Sequence, residues 1–172
     1  MVNVLVVGSG GREHSIGWKL SQNDNVDTVF HAPGNGGTSN NVSIPIDDLD
    51  ELVKFASKNN CFTVVGPEAP LAAGIVDMFN ESGLKIFGPT KSAARLESSK
   101  IWAKQFLKRN NIPTATFEVF DDVVKAKEYV NQIDYNVVIK ADGLAAGKGV
   151  IVCDNKDEAE KAIEMMLIDK KF

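Results

Sequence analysis

An α/β fold built on a parallel sheet is what this sequence predicts for residues 1 to 88, and three observations predict it. Short β-branched runs such as Val2 to Val7 and Phe62 to Val65 alternate with segments of helical period. Glycine- or proline-rich turns follow Val7, His31 and Val65. The spacing leaves room for a crossover helix between successive runs, which specifies βαβ units with right-handed connections. Loops that leave the carboxyl ends of strands in such sheets bind ligands, so the three turns are expected to converge on one site.

In chain order, Val2 to Val7 is a first strand ending in Gly8-Ser9-Gly10-Gly11, and a helix follows from about Arg12 to Asn23, with Ile16 and Leu20 on one face. Thr28 to His31 is a second strand, running into the loop Ala32 to Thr38, whose small residues let backbone approach a ligand. A short extended piece is expected at Ser43 to Ile46, then a helix to about Asn59 capped by Asp47 or Asp48. Phe62 to Val65 is a buried strand that ends in Gly66-Pro67-Glu68-Ala69-Pro70. A helix from about Leu71 to Ser82 stops at Gly83, and Lys85 to Phe87 is the last strand of the series.

From Gly88 the pattern turns helical, around Ser92 to Leu96 and from Lys100 to Arg109 after Ser98-Ser99, and it stops at Asn110, Asn111 and Pro113. Residues 89 to 112 read as a connector between domain 1 to 88 and segment 113 to 172. Beyond Pro113, Thr114 to Phe120 reads as a strand and Asp121 to Ile133 as a capped helix. Val137 to Ile139 and Val150 to Val152 read as paired strands, and Lys156 to Leu167 as an amphipathic helix. That is too little apolar surface for a comfortable independent core.

The chain has 172 residues, 44% apolar, with 23 acidic and 19 basic side chains. No cluster of five or six like charges occurs, which disfavours duplex nucleic acid as a partner and leaves anionic ligands to local groups. Cys61 and Cys153 sit in or beside predicted strands without CxxC spacing, so free buried thiols are expected. No apolar run approaches a membrane span, and M-V-N-V-L-V-V-G lacks a basic leader and cleavage site. The expected location is the cytoplasm.

Asn136 to Cys153 carries the sharpest chemical signal: two strands flank a loop with Gly143, Gly147 and Gly149, and with Lys140 and Lys148 within reach. It is not a P-loop, because three residues instead of four separate Gly143 from Gly147, Gly149 replaces the hydroxyl residue, and a strand follows. A flap gripping a triphosphate fits, since glycine lets backbone N–H groups approach phosphate and lysine adds a point charge. A mobile hairpin with solvated lysines is the plainer alternative. The turn Gly8 to Gly11 departs from the dinucleotide fingerprint at Glu13, and His31-Ala32 stands where an acid should end the second strand. N–H groups at a helix start still suit a monophosphate, with Arg12 beside them, or the turn holds no ligand. Glu68, between two prolines in a rigid loop, is either a carboxylate for sugar hydroxyls or an exposed loop acid. His14 and His31 read as structural, and no spacing suggests a metal site.

Together G-S-G-G-R-E-H at 8 to 14, A-P-G-N-G-G-T at 32 to 38, V-V-G-P-E-A-P-L at 64 to 71, G-P-T-K-S-A-A at 88 to 94, L-E-S-S-K at 96 to 100 and V-I-K-A-D-G-L-A-A-G-K-G-V at 138 to 150 closely resemble the phosphoribosylamine–glycine ligase family of ATP-grasp enzymes in purine biosynthesis. The resemblance implies a pre-ATP-grasp, Rossmann-like N-terminal domain followed by the incomplete start of an ATP-grasp domain, less than half of the family's chain. It implies ATP-dependent joining of glycine to 5-phosphoribosylamine through a glycyl phosphate. Lys100 and Lys140 look like lysines that contact nucleotide phosphates, and Gly143 to Gly149, with Gly147, Lys148 and Gly149, like the flap over them. Gly10, Gly11, Arg12, Asn35, Gly36, Pro67 and Glu68 look like the phosphoribosylamine side. Ligands for Mg2+ are implied beyond residue 172, and because the second domain is unfinished the 172 residues alone are expected to be inactive. A non-catalytic ribose-phosphate module and another ATP-grasp enzyme of purine metabolism are the alternatives.

Overall fold

The structure is a computed structural model that describes residues 1–145 and 147–169. The chain divides into two compact units, Met1–Arg95 and Leu96–Phe172. The first is an α/β unit whose strands β1 (Val2–Gly8), β2 (Val26–Pro33), β3 (Cys61–Val65) and β4 (Ile86–Phe87) form a parallel sheet in the order β2-β1-β3-β4. Central β1 is buried from Val4 to Val7 because both faces of the sheet are covered, which is why it reads as an unbroken apolar run. On one face Leu5 and Val7 pack with Leu52, Ala56, Ile75 and Phe79; on the other Val4 and Val6 pack with Val29, Ile16 and Leu20. Burying Leu5 or Phe79 in this way stabilises by about 1.5–3 kcal/mol each.

Helix α1 (Gly11–Leu20) ends earlier than its period suggests, at Ser21, and β2 is longer than expected, starting at Val26. The extended piece at Ser43 to Ile46 is not a strand. The chain returns to β2 just before it, where Val42 N–H donates to His31 O at 2.8 Å and His31 bridges Asn41. Asp48, not Asp47, caps α2 (Leu49–Lys58), its carboxylate accepting from Glu51 N–H at 3.2 Å.

The single helix expected from Leu71 to Ser82 is two helices, α3 (Glu68–Ala73) and α4 (Ile75–Glu81), broken at Gly74 with φ 107°. Pro70 is tolerated inside the first turn of α3, where backbone N–H groups have no intrahelical acceptor. The loop after β3 is therefore shorter than the sequence suggests. Gly83 does turn left-handed, at φ 67°.

Helix α5 (Lys91–Ser98) straddles the division between units, and α6 (Lys100–Arg109) belongs to the second, with Ser99 as its cap and Asn111 at φ 56° beyond its end. Thr114 to Phe120 forms no strand. Among the described residues it has no ladder partner; Lys104 Nζ instead donates to Thr114 Oγ1 at 2.7 Å and Ala115 O at 3.1 Å, and Lys104 and Lys108 lie over the Phe117 ring. Helix α7 (Val123–Gln132), capped by Asp122, and α8 (Lys156–Leu167), capped by Asn155, cover one face of the antiparallel pair β5 (Val137–Lys140) and β6 (Val150–Cys153). Alternation sets the faces: Val137, Ile139, Ile151 and Cys153 point at Ala126, Val130, Ala159 and Ile163, while Val138, Val150 and Val152 are exposed. Both cysteines are free and buried, and burial pushes the Cys61 thiol up to about 11.

Candidate functional site

Strand register gathers the first group of residues. Gly8 pairs with Pro33 and Val7 with Val65, so β1, β2 and β3 release their loops at one edge of the sheet. Gly34 N–H donates to Gly8 O at 3.2 Å and Gly66 N–H to Val7 O at 3.0 Å. Asn35 ties the second loop to the first: its Nδ2 donates to Ser9 O at 2.9 Å, while its Oδ1 accepts from Gly37 N–H at 2.8 Å. Thr38 Oγ1 accepts from Asn35 N–H at 2.8 Å, and Asn41 Nδ2 donates to Asn35 O at 2.9 Å, which holds the asparagine's backbone in place.

Glu13 lies under these loops. It is 4% exposed, and its Oε2 accepts from Gly10 N–H at 2.8 Å, an N3 glutamate reaching back to the N-cap of α1. Its Oε1 accepts from Arg12 Nε at 2.7 Å. A Cβ at Gly8 or Gly66 would stand within 2.4 Å of Glu13, so glycine at both positions makes room for the carboxylate. Burial pushes the Glu13 carboxyl up, but the bonds from Arg12 and Gly10 outweigh it and hold the group below its ordinary range. Gly10 N–H is therefore committed to Glu13. Gly11 and Gly36 are exposed, with open space where a side chain would begin.

Arg12 extends outward with its side chain 61% exposed. Pro67 is the N-cap of α3 and Glu68 its first residue, half-buried, so Glu68 sits in a helical first turn and not in a rigid loop. His14 packs its ring on Gly37, where a Cβ would be 2.5 Å from Cε1. His31 is buried, with Nδ1 at 3.0 Å from Ser39 O and Nε2 without a described partner against Gly17.

The second group belongs to the second unit. Lys140 pairs with Val150 at the end of the hairpin, Ala141 N–H donates to Gly149 O at 2.9 Å and closes the loop's base, and Lys148 N–H donates to Ala145 O at 2.8 Å. Gly143 and Gly147 adopt φ 94° and 77°, which L side chains rarely adopt; Ala146 lies outside the described residues. Lys140 and Lys148 are exposed and Gly149 is buried. Lys100 comes to the flap directly, its Nζ donating to Gly143 O at 2.7 Å.

Two carboxylates escaped sequence reasoning. Glu13 had a usable signal, its position three residues after the cap; Asp142, bonded to Ser99 and Ile101, had none, because its partners lie over forty positions away. Among the described residues no group of three or more His, Cys, Asp or Glu could hold a metal ion.

Comparison with known proteins matches the whole chain. Residues 2–97 match the family model for the phosphoribosylglycinamide synthetase N domain, and residues 98–172 that for the phosphoribosylglycinamide synthetase ATP-grasp (A) domain. The phosphoribosylamine–glycine ligase of Neisseria meningitidis serogroup B is 56% identical over 175 residues, covering 99% of this chain and 41% of the relative. That of Pseudomonas aeruginosa is 53% identical, with 99% and 41% covered. The crystal structure of phosphoribosylamine–glycine ligase from Thermotoga maritima superposes with a TM-score of 0.76 at 36% identity, covering 96% of this chain and 40% of that one. N5-carboxyaminoimidazole ribonucleotide synthetase from the same organism shares the fold, with a TM-score of 0.68 at 17% identity. The chain thus spans about 41% of the length of the curated relatives it matches.

Proposed function

The chain belongs to the phosphoribosylglycinamide synthetase family, and from that premise we propose that it supplies the acceptor-binding domain and the start of the ATP-grasp domain of a ligase making glycinamide ribonucleotide. In this reaction the γ-phosphoryl group of ATP passes to a carboxylate oxygen of glycine, giving glycyl phosphate and ADP. The amine of 5-phosphoribosylamine then attacks the acyl carbon, the amide forms, and phosphate leaves with the C–O bond electrons. Such chemistry needs charge spread over the transferring phosphoryl group, aligned reactants and exclusion of water.

Residues 1 to 88 are assigned to phosphoribosylamine, 89 to 112 to the connector and 113 to 172 to part of the ATP lid. The convergence of three loops on one sheet edge, pinned by Asn35 and Glu13, carries this reading. Gly11, Gly36 and Arg12 face the phosphate of the acceptor, and Pro67 and Glu68 its ribose hydroxyls. Gly10 shapes the turn but keeps its N–H for Glu13. In the second unit Lys100, Lys140 and Lys148 act on the phosphates of ATP, and Gly143 to Gly149 close over them. Magnesium does not fit the described residues, which offer no cluster of three candidate ligands. No helix of the described residues is long and apolar enough to cross a membrane, and both thiols are free, which supports a cytoplasmic location.

Titration of the chain with ribose 5-phosphate, followed by amide NMR, tests the acceptor site. Shifts are expected at Gly11, Asn35, Gly36 and Glu68, and Glu68→Ala is expected to weaken binding about tenfold, as loss of one hydrogen bond to a charged group does. Lys140→Ala is expected to leave ribose 5-phosphate binding unchanged and to weaken ATP binding. Shifts confined to other parts of the sheet would remove these loops from the acceptor site.

A further inference from the structure

Asp142 lies inside the flap sequence, yet the reaction as assigned gives it nothing to do. Its carboxylate accepts from Ser99 Oγ at 3.2 Å and 3.1 Å, and its Oδ1 also accepts from Ile101 N–H at 3.1 Å. Ser99 is the N-cap of α6, and its hydroxyl oxygen accepts from Trp102 N–H at 3.1 Å. Lys100, between Ser99 and Ile101, sends Nζ to the carbonyl of Gly143, the residue after Asp142. Two consecutive flap residues are thus fastened to three consecutive residues at the start of α6, across 41 to 43 positions of sequence.

This arrangement suits a carboxylate in particular. The start of α6 offers an N–H group without an intrahelical acceptor, a hydroxyl and the positive end of the helix dipole, which together favour an anion. An ionised acceptor makes each of these bonds shorter and stronger than a neutral one would. Asparagine at 142 would keep an oxygen for one donor but turn an amide N–H2 toward another.

The consequence falls on Lys100. A lysine carries a long, flexible stem, and its ammonium finds one position only when something holds both ends. Here Ser99 and Ile101, on either side of Lys100, are held by Asp142, and its Nζ is held by the next residue of the flap. We propose that Asp142 is a positioning residue for the nucleotide: by binding the first turn of α6 to the root of the flap, it sets Lys100 where the phosphates of ATP arrive. This rests on the assignment of Lys100 as a phosphate contact. It adds that the flap is tethered at its Asp142–Gly143 side.

The test uses the 172-residue chain and its Asp142→Ala, Asp142→Asn and Lys100→Ala variants, compared by hydrogen exchange and by titration with ADP and with adenosine. Asp142→Ala is expected to raise exchange at Ile101 and at Gly143 at least tenfold, while the β5 and β6 ladder amides and the melting temperature stay near those of the parent. It is expected to weaken ADP at least tenfold and adenosine less than twofold, with Asp142→Asn between parent and alanine. Unchanged exchange at Ile101 and Gly143 in both Asp142 variants overturns the proposal, as does equal weakening of ADP and adenosine. If Lys100→Ala weakens ADP and Asp142→Ala does not, the phosphate assignment stands and the positioning role fails. If Lys100→Ala leaves ADP untouched, or the parent binds no ADP, the phosphate assignment fails and takes the nucleotide role of Asp142 with it.

Discussion

Gly66→Ala isolates the packing of Glu13. Gly66 does not adopt a positive φ, so alanine brings no backbone strain, but its Cβ would stand 2.0 Å from Glu13 Oε1 and 2.4 Å from Cγ. The backbones at Gly8 and Gly10 already hem the side chain in, since a Cβ at Gly8 would be 2.4 Å from the same Cγ and one at Gly10 2.8 Å from Oε2. If Glu13 stays, the overpacking costs about 1–3 kcal/mol. If it is expelled, it forfeits the Gly10 and Arg12 bonds, at about 1.5–3 kcal/mol for a bond to a charged group, with the Arg12 share discounted because that side chain is 61% exposed. Either route falls within about 1–3 kcal/mol, or roughly 2–12 °C in Tm for a chain of this size. Thermal unfolding by circular dichroism of the parent, Gly66→Ala, Glu13→Ala and the double variant measures it. The alanine penalty is expected to fall below about 0.5 kcal/mol once Glu13 is gone. A Gly66→Ala protein as stable as the parent, or the same penalty with and without Glu13, would refute the reasoning.

Gly17→Ala is expected to destabilise by about 1–3 kcal/mol, because its Cβ would lie 2.1 Å from His31 Nε2 while Nδ1 is held at Ser39 O; urea unfolding measures this, and parental stability would mean the ring can move. The Glu13 carboxyl is held below its ordinary range in the fold, so the stability it contributes is complete above the unfolded value of about 4.3 and is lost as pH falls through the folded value. Glu13→Gln is accordingly expected to flatten the fall in stability between about pH 5 and pH 3, and an acid limb as steep as the parent's would exclude Glu13 as its source.

Much of the fold is legible because local signals agree with tertiary demands. The apolar run of β1 is read correctly since both faces are covered, α6 and α8 match in both bounds, and Ser98-Ser99 announces the cap of α6. The misses have local causes too. Thr114 to Phe120 has the residues of a strand, but the backbone oxygen of Ala115 is satisfied by Lys104 and not by a ladder. The apolar period from Leu71 to Ser82 runs through Gly74 unbroken, and a glycine within a helical pattern does not by itself announce a left-handed residue. At the candidate site the glycines and lysines are visible in sequence because they break composition rules. Glu13 and Asp142 are hidden because an acid in a first helical turn, or in a polar loop, looks the same whether solvated or fully bonded.

The nesting of Glu13 among Gly8, Gly10 and Gly66 also limits how relatives can diverge. While the glutamate is present, a side chain at any of the three glycines meets it, so those positions are closed to one-step change. Shortening residue 13 first opens 10 and 66, while Gly8, at φ 133°, stays closed to a side chain either way. Across aligned relatives, alanine or serine at 10 or 66 is therefore expected only in lineages that have already lost the acid at 13, an ordering of substitutions that ancestral reconstruction can check.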